Sequence, residues 1–278
     1  MRTTPGKAKN EKLDDRMKEY ESVTTNISLV NRIPVYARID GRAFHTFCKG
    51  LNKPFDDDFV NVMQKTCQYL VDKTNALIGY VQSDEISLIW KDPSKIPFET
   101  RLFKLQSVLA SIATSAFTIY GLDTSLKERI LKYFPNFDCR VCNLPNIDEC
   151  ANMILWREND CIKNAIASVA QSKFSTNQLN KKNRNDQLKM LSDIGVDFEN
   201  IYPEYIKRGS YYRRELYLKE LTNEEIESIP EKNRPIPDLF GKIMVTRSHV
   251  VRFEIGFPLT KISNKKEVLF EKEKPICK

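Results

Sequence analysis

The sequence predicts an α+β fold, and three features carry the prediction. Short strand-like runs at 34–40, 77–82, 86–91 and 137–144 are interspersed with two longer stretches of helical apolar spacing. The 278 residues, 41% of them hydrophobic, suffice for a sizeable core, arranged as one large domain or two small ones. The apolar segment GYVQSDEISLIW (79–90) carries two adjacent carboxylates, Asp84 and Glu85, in its middle. Neighbouring strand residues point to opposite faces, so amphipathic alternation cannot accommodate both, and burying an unpaired carboxylate is costly.

PVYARID (34–40) reads as a strand ending at Asp40, with Gly41 permitting a tight turn. Phe59, Val62, Met63, Cys67, Leu70 and Val71 fall at helical spacing, and Asp56 or Asp57 can cap that helix. Residues 77–82 and 86–91 form two strands, with Ser83, Asp84 and Glu85 as their turn. A long helix is predicted over 99–120, apolar through Leu102, Leu105, Leu109, Ile112, Ala116 and Phe117. Thr100, Lys104, Ser107 and Ser111 form its polar stripe. FDCRVCNL (137–144) is a fourth strand. The order β-α-β-β-α-β is the split pattern of ferredoxin-like domains and of the core of polymerase palm domains. In such a sheet the first and third strands are neighbours, so Asp40 is expected to meet the carboxylate turn. Three carboxylates at one sheet end call for a divalent cation among them.

A soft boundary near residue 145 separates this palm-like core (1–145) from a helical and β accessory region (146–278) that completes the catalytic domain. Its first element is an amphipathic helix over 147–172. Ile147, Cys150, Ala151, Ile154, Cys161, Ala165 and Ile166 face the core, and Arg157, Asp160, Asn164, Ser168 and Gln171 form the polar side. Leu155 and Trp156 are read as core residues. Residues 175–193 look like a surface loop entering a short helix, and YIKRGSYYRRELY (205–217) interleaves basic and aromatic residues. Two further strand-like runs, 242–255 and 266–272, follow.

Asp40 with Asp84 is the sharpest constellation. Two-metal nucleotidyl transfer needs carboxylates that bridge two Mg²⁺ ions, and the Gly41 carbonyl is placed to assist. Equally, Asp40 can cap a turn, Asp84 can close a hairpin and Glu85 can pair with a lysine. Arg101 and Lys104, at a helix start, suit a triphosphate cradle or a solvated basic patch. Lys207, Arg208, Tyr211, Tyr212, Arg213 and Arg214 suit RNA ends or an ordinary basic surface strand. A net charge of +7 is compatible with a polyanionic partner. Two histidines, His45 and His249, argue against His-based catalysis. Cys139 and Cys142, on opposite strand faces, argue against zinc. Seven scattered cysteines suit reduced thiols in a cytoplasmic protein. No run of 18 apolar residues and no N-terminal apolar signal region is present, so no membrane association is expected.

ARIDGRAFHTF (37–47), QSDEISLIW (82–90), RLFKLQSVLAS (101–111), FDCRVCNLP (137–145), LWRENDCIKN (155–164) and KRGSYYRRE (207–215) resemble the tRNA-His guanylyltransferase family. The resemblance implies 3′-to-5′ nucleotide addition to the 5′ end of tRNA, after activation of that end by ATP or GTP. It implies that Asp40, Gly41 and Asp84 hold two Mg²⁺ ions with Glu85 in support. Arg42, Ala43, Phe44, His45, Ser83, Arg101, Lys104 and Ser107 would bind nucleotide. Arg157, Asn164, Lys207, Arg208, Tyr211, Arg213 and Arg214 would bind RNA, and a homotetramer built as a dimer of dimers is implied. Members that mark tRNA-His carry His-Ile-Asn-Asn after the WRxxDC segment, whereas Ile162, Lys163, Asn164 and Ala165 stand here. The early DDRMKEYE and the AQSKFS run look more like the Thg-like branch, which implies templated repair of 5′-truncated tRNAs. The rivals are a tRNA-His-specific enzyme, a nucleotidyl cyclase on the same scaffold, and a non-catalytic tRNA-binding protein.

Overall fold

The computed structural model describes residues 12–92, 94, 96 and 100–278. Its elements in chain order are α1 (Leu13–Thr25), β1 (Val35–Gly41), α2 (Phe44–Cys48), α3 (Asp57–Thr74), β2 (Ile78–Gln82) and β3 (Glu85–Trp90). Then come α4 (Leu102–Gly121), α5 (Lys127–Tyr133), β4 (Phe137–Asn143) and the long α6 (Ile147–Lys173). Four short helices follow: α7 (Thr176–Leu179), α8 (Arg184–Asp193), α9 (Phe198–Ile201) and α10 (Glu204–Lys207). The chain ends with β5 (Ser210–Glu220), α11 (Asn223–Ser228), β6 (Met244–Phe253) and α12 (Lys265–Phe270).

One six-stranded sheet carries all of this, in the order β4-β1-β3-β2-β5-β6, with every neighbouring pair antiparallel. The expected adjacency of first and third strands is present. The sheet also runs across residue 145, because β5 pairs with β2. Both halves of the chain therefore build one β-layer.

Strand alternation divides the core in two. Val35, Ala37 and Ile39 of β1, with Ile86, Leu88 and Trp90 of β3, pack against α3 and α4. The other face offers Tyr36, Ile78, Tyr80, Ile89 and Tyr211 to Cys150, Ala151 and Ile154 of α6, with Val268 and Leu269 of α12. Asp56 caps α3 by accepting from the Phe59 N–H at 3.0 Å and also holds Asn52. By length and composition α4 could cross a membrane. Here its Leu105, Leu109, Ala113 and Phe117 fill the core.

Several elements differ from the sequence reading. The expected start of the long helix at Glu99 lies outside the described residues. Residues 266–272 are not a strand. Val268 and Leu269, adjacent in sequence, are both buried, which a helix permits and period-two alternation does not. Trp156 is not core but 53% exposed.

Glu158 of α6 is fully buried, and its carboxylate accepts from the Tyr211 hydroxyl and the Leu259 N–H, each at 2.8 Å. It thereby ties α6 to β5 and to the C-terminal segment. Burial pushes its carboxyl from an ordinary 4.5 up to about 7. The folded state thus holds this proton more tightly than the unfolded chain does. The resulting stabilisation is complete below pH 4.5 and is lost as pH rises through 7. Glu158→Gln, neutral at every pH, should remove that slope. Urea unfolding of both proteins across this range should show the parent losing about 3 kcal/mol relative to the variant. Parallel pH profiles would disprove the assignment.

Candidate active site

The site grows from the register of three strands. Alternation puts Tyr36, Arg38 and Asp40 on the face of β1 that α6 overlies. Asp40 stands opposite Glu85 on one side and Asp138 on the other, while Arg38 stands opposite Ser87 and Arg140. Residues directly opposite in an antiparallel pair share a face. A row of carboxylates therefore lies at the sheet end, with a pair of arginines one step behind it.

The β2–β3 turn is fastened to the end of β1 by the Gly41 N–H, which donates to the Asp84 carbonyl at 3.0 Å. Ser83 takes a positive φ of 48° to make the turn. Gly41 is needed for a second reason: a Cβ there would lie 2.4 Å from the Phe44 ring. Phe44 is buried in a cluster of rings with Phe47, Phe59, Phe117 and Phe137, and Ala43 reaches α2 through a left-handed φ of 57°. Arg42 and His45 remain exposed beside this bend.

Electrostatics separates the three predicted carboxylates. Burial raises the pKa of Asp84, and the neighbouring charge of Asp40 raises it further. Burial also raises that of Asp40, with Arg38 and Arg140 opposing the shift and Asp138 adding to it. Glu85 behaves differently. It lies in β3 rather than in the turn, and both its oxygens accept from Arg157, at 2.6 and 2.7 Å. Arg157 bonds Asp160 as well, at 3.0 Å. Burial disfavours the Arg157 charge, but the bond to Glu85 and the charges of Glu85 and Asp160 together outweigh it and raise the pKa. Glu85 is thus committed to an arginine, while Asp40 and Asp84 are left in want of a cation.

The arginines are only loosely paired, Arg140 standing 3.8 Å from Asp138. Arg38 and Arg140 are like charges directly across a strand pair, a destabilising arrangement in isolation. The buried Nε of Arg38 has no hydrogen-bond partner among the described residues and lies 3.9 Å from Glu85. Asp138 and Arg140 are exposed, so this strip of sheet is open. Beyond the hairpin turn, a cavity of about 260 Å³ opens between the 48–56 loop, α3 and α6. Cys48, Phe55, Gln82, Ser83 and Asn164 are among its lining residues.

Several predicted residues do not join this site. Arg101 and Lys104 sit where α4 begins, beside Ile27 and Ser28 and near the start of β1, at the end of the sheet opposite Asp40. Ser107 bonds back to the Lys104 carbonyl. The expected display of basic and aromatic faces at 207–214 is also corrected. Lys207, Arg208, Tyr211 and Tyr212 are buried. Glu199 and Glu204 engage both cations, and Tyr211 serves Glu158. Arg213 bonds Glu215 and stacks on Phe253, and Arg214 bonds Asp72. Arg157 is interior, although α6 was expected to turn it outward. Asn164 is exposed at the cavity. The sequence reading missed Arg38, Arg140 and Asp138, whose period-two spacing from Asp40 and from one another in ARID and FDCR was the available signal.

Among the described residues, no three His, Cys, Asp or Glu side chains gather as a metal cage. Two carboxylates beside a backbone carbonyl nevertheless fit Mg²⁺, which keeps waters and substrate phosphates among its ligands.

Residues 14–145 match the family described as Thg1, tRNAHis guanylyltransferase. A bacterial tRNA(His) guanylyltransferase-like protein solved in complex with ATP is 38% identical, with a TM-score of 0.65 over 73% of this chain and 87% of its own. A GTP complex of such a bacterial protein is 33% identical, with a TM-score of 0.62 over 86% of this chain and 90% of its own. The tRNA(His) guanylyltransferase of Schizosaccharomyces pombe is 28% identical over 213 residues, 72% of this chain and 79% of that one. On the site, the sheet and these relatives together, the chain belongs to the tRNA(His) guanylyltransferase family of nucleotidyltransferases.

Proposed function

We propose that this protein adds nucleotides in the 3′-to-5′ direction to the 5′ end of tRNA, on a palm-like sheet, as a templated repair enzyme. One observation carries the chemistry: two cation-seeking carboxylates and two anion-seeking arginines share one open sheet end. A phosphate chain with its divalent counter-ions satisfies both needs together. Asp40, Asp84 and the Gly41 carbonyl would hold two Mg²⁺, which supply charge neutralisation at the transferred phosphoryl group and lower the pKa of the attacking hydroxyl.

The chain's own groups do the rest. Arg38 and Arg140 bind the phosphates of the 5′ end or of its activated form. The cavity beside Ser83 receives the nucleoside of the ATP or GTP. Arg157 holds Glu85 away from the metal ligands and keeps the hairpin in place. In the activation step the 5′-phosphate attacks the nucleoside triphosphate and pyrophosphate leaves. In the addition step the 3′-hydroxyl of the incoming nucleotide attacks the activated end and the activating nucleotide leaves. The assembly is proposed to be a tetramer.

Repair rather than tRNA-His marking is favoured at position 162. Ile162 packs against the cluster around Leu191 and Phe198, where it cannot read a base edge. Lys163 beside it is exposed, but charge binds every tRNA alike. Selection then falls to pairing of the incoming nucleotide with the opposite strand.

Asp40→Asn and Asp84→Asn should each lower nucleotide addition at least ~1,000-fold without loss of thermal stability, because each removes a half-buried charge. Normal turnover by either variant would refute the two-metal assignment. Arg38→Ala or Arg140→Ala should raise KM for triphosphate-ended RNA roughly 10- to 100-fold, while Lys104→Ala should not. Equal effects at Lys104 would move the phosphate site. For specificity, 5′-truncated tRNAs differing only in the anticodon should be extended alike, and the added base should follow its Watson–Crick partner. Dependence on the anticodon with indifference to the opposing base would restore the tRNA-His reading.

A further inference from the structure

The cavity beside the hairpin turn has an unmet polar group of its own. Gln82 is the last residue of β2, two positions before Asp84. It stands opposite Glu85, which stands opposite Asp40, so all three share the face that α6 overlies. The row of carboxylates at the sheet end therefore finishes, on its β2 side, in a neutral amide that lines the cavity.

Among the described residues, the buried polar side chains on this cavity are Asp56, Ser210 and Gln82. Two of them are satisfied from within the chain. Asp56 accepts from Asn52 and from the Phe59 N–H, each at 3.0 Å, and the Ser210 hydroxyl accepts from Gln64 at 2.9 Å. Gln82 is only 6% exposed, and among the described residues its amide has no hydrogen-bond partner. Leaving a buried amide unpaired is costly, and such a group calls for an explanation. Around it Phe55, Phe59, Met63 and Val81 give the cavity an apolar wall. An apolar wall with one unspent amide is the arrangement of a site for a flat, polar-edged ligand.

We infer that Gln82 reads the edge of the nucleobase whose triphosphate is held at Asp40 and Asp84. This rests on the proposed nucleotidyl transfer, which places that nucleoside in this cavity. The amide offers one acceptor and two donors. Adenine presents its N6–H donor beside the N7 acceptor, and a glutamine amide meets both at once. Turned over, the same amide donates to guanine O6 and accepts from the guanine N1–H. One side chain thus serves both ATP and GTP. What it rejects is a base without the exocyclic group at position 6, because the amide then loses a partner inside the cavity.

The test uses the full-length protein with Mg²⁺ and three nucleotides: ATP, purine riboside triphosphate, which lacks the 6-amino group, and 2′-deoxy-ATP. Binding is read by calorimetry, and KM by activation of a 5′-phosphorylated RNA hairpin. The parent should bind purine riboside triphosphate about 10- to 100-fold more weakly than ATP. Gln82→Met, similar in size but without the amide, should bind these two within about twofold of each other, the loss falling on ATP. It should keep the parent's ratio between ATP and 2′-deoxy-ATP. Its thermal midpoint should not fall, since the variant removes an unpaired group. Equal weakening of ATP and purine riboside triphosphate, or a lowered midpoint, would make Gln82 a structural residue and overturn the inference. A parent that binds the two nucleotides alike would overturn it as well. So would a change confined to the 2′-deoxy ratio, which would move the contact to the ribose. If the parent binds ATP and activates RNA while Gln82→Met keeps the full base preference, only this inference fails. If the parent neither binds ATP nor activates RNA, the proposed transfer itself fails and takes the inference with it.

Discussion

The bidentate bond between Arg157 and Glu85 is the interaction on which the site depends. It joins the longest helix to the strand that begins immediately after Asp84, with both partners buried. A buried ion pair of this kind contributes little net stability, because desolvation offsets the attraction. Removing one partner is another matter, since it strands a charge in the interior at a cost of about 3–5 kcal/mol. The pair therefore acts as a constraint more than as a source of stability. It fixes how α6 lies over the sheet.

That constraint is matched by a second one along the same helix. Glu158 adjoins Arg157 in sequence but is turned toward β5, where it holds Tyr211 and the backbone at Leu259. Consecutive residues of α6 thus tie the helix to the central strands and to the C-terminal segment. This explains why the basic and aromatic run at 207–214 is interior. Tyr211 and Tyr212 alternate across β5 and serve the two core faces, while Lys207 and Arg208 neutralise the acidic groups of α9 and α10. The residues that look most like an RNA surface in the sequence are structural cement.

The fold was largely legible because its signals were local. Apolar periodicity marked β1, α3, the β2–β3 hairpin and α4, and the element order then implied the β4-β1-β3-β2 neighbourhood. The meeting of Asp40 with the hairpin turn followed from that order alone. What stayed hidden depended on register and on helix rotation. Whether Arg157 faces water or Glu85 turns on a rotation of α6 that its mixed polar and apolar surface leaves open. Arg38 and Arg140 become a pair only once β1 and β4 are aligned. The separation of Arg101 and Lys104 from Asp40 within the chain was hidden because sequence does not say at which end of a sheet a helix begins.

The site also shows why charges of both signs are left only loosely paired within one small region. Had Asp40 and Asp84 been paired with Arg38 and Arg140, the sheet end would be more stable, and the attraction for metal and phosphate would be spent within the chain. The register prevents that by placing the arginines one alternation behind the carboxylates, where they moderate Asp40 without closing on it. Glu85 is held by both its oxygens to Arg157 and reaches Arg38 only at 3.9 Å. The contacts that fix the position of α6 are thus concentrated at Glu85 and Glu158. The binding potential is concentrated a few ångströms away, on side chains that the fold holds in place but leaves without full compensation. Proteins tolerate such frustrated clusters where a ligand completes them, and a nucleotide with its counter-ions carries both of the charges this cluster lacks.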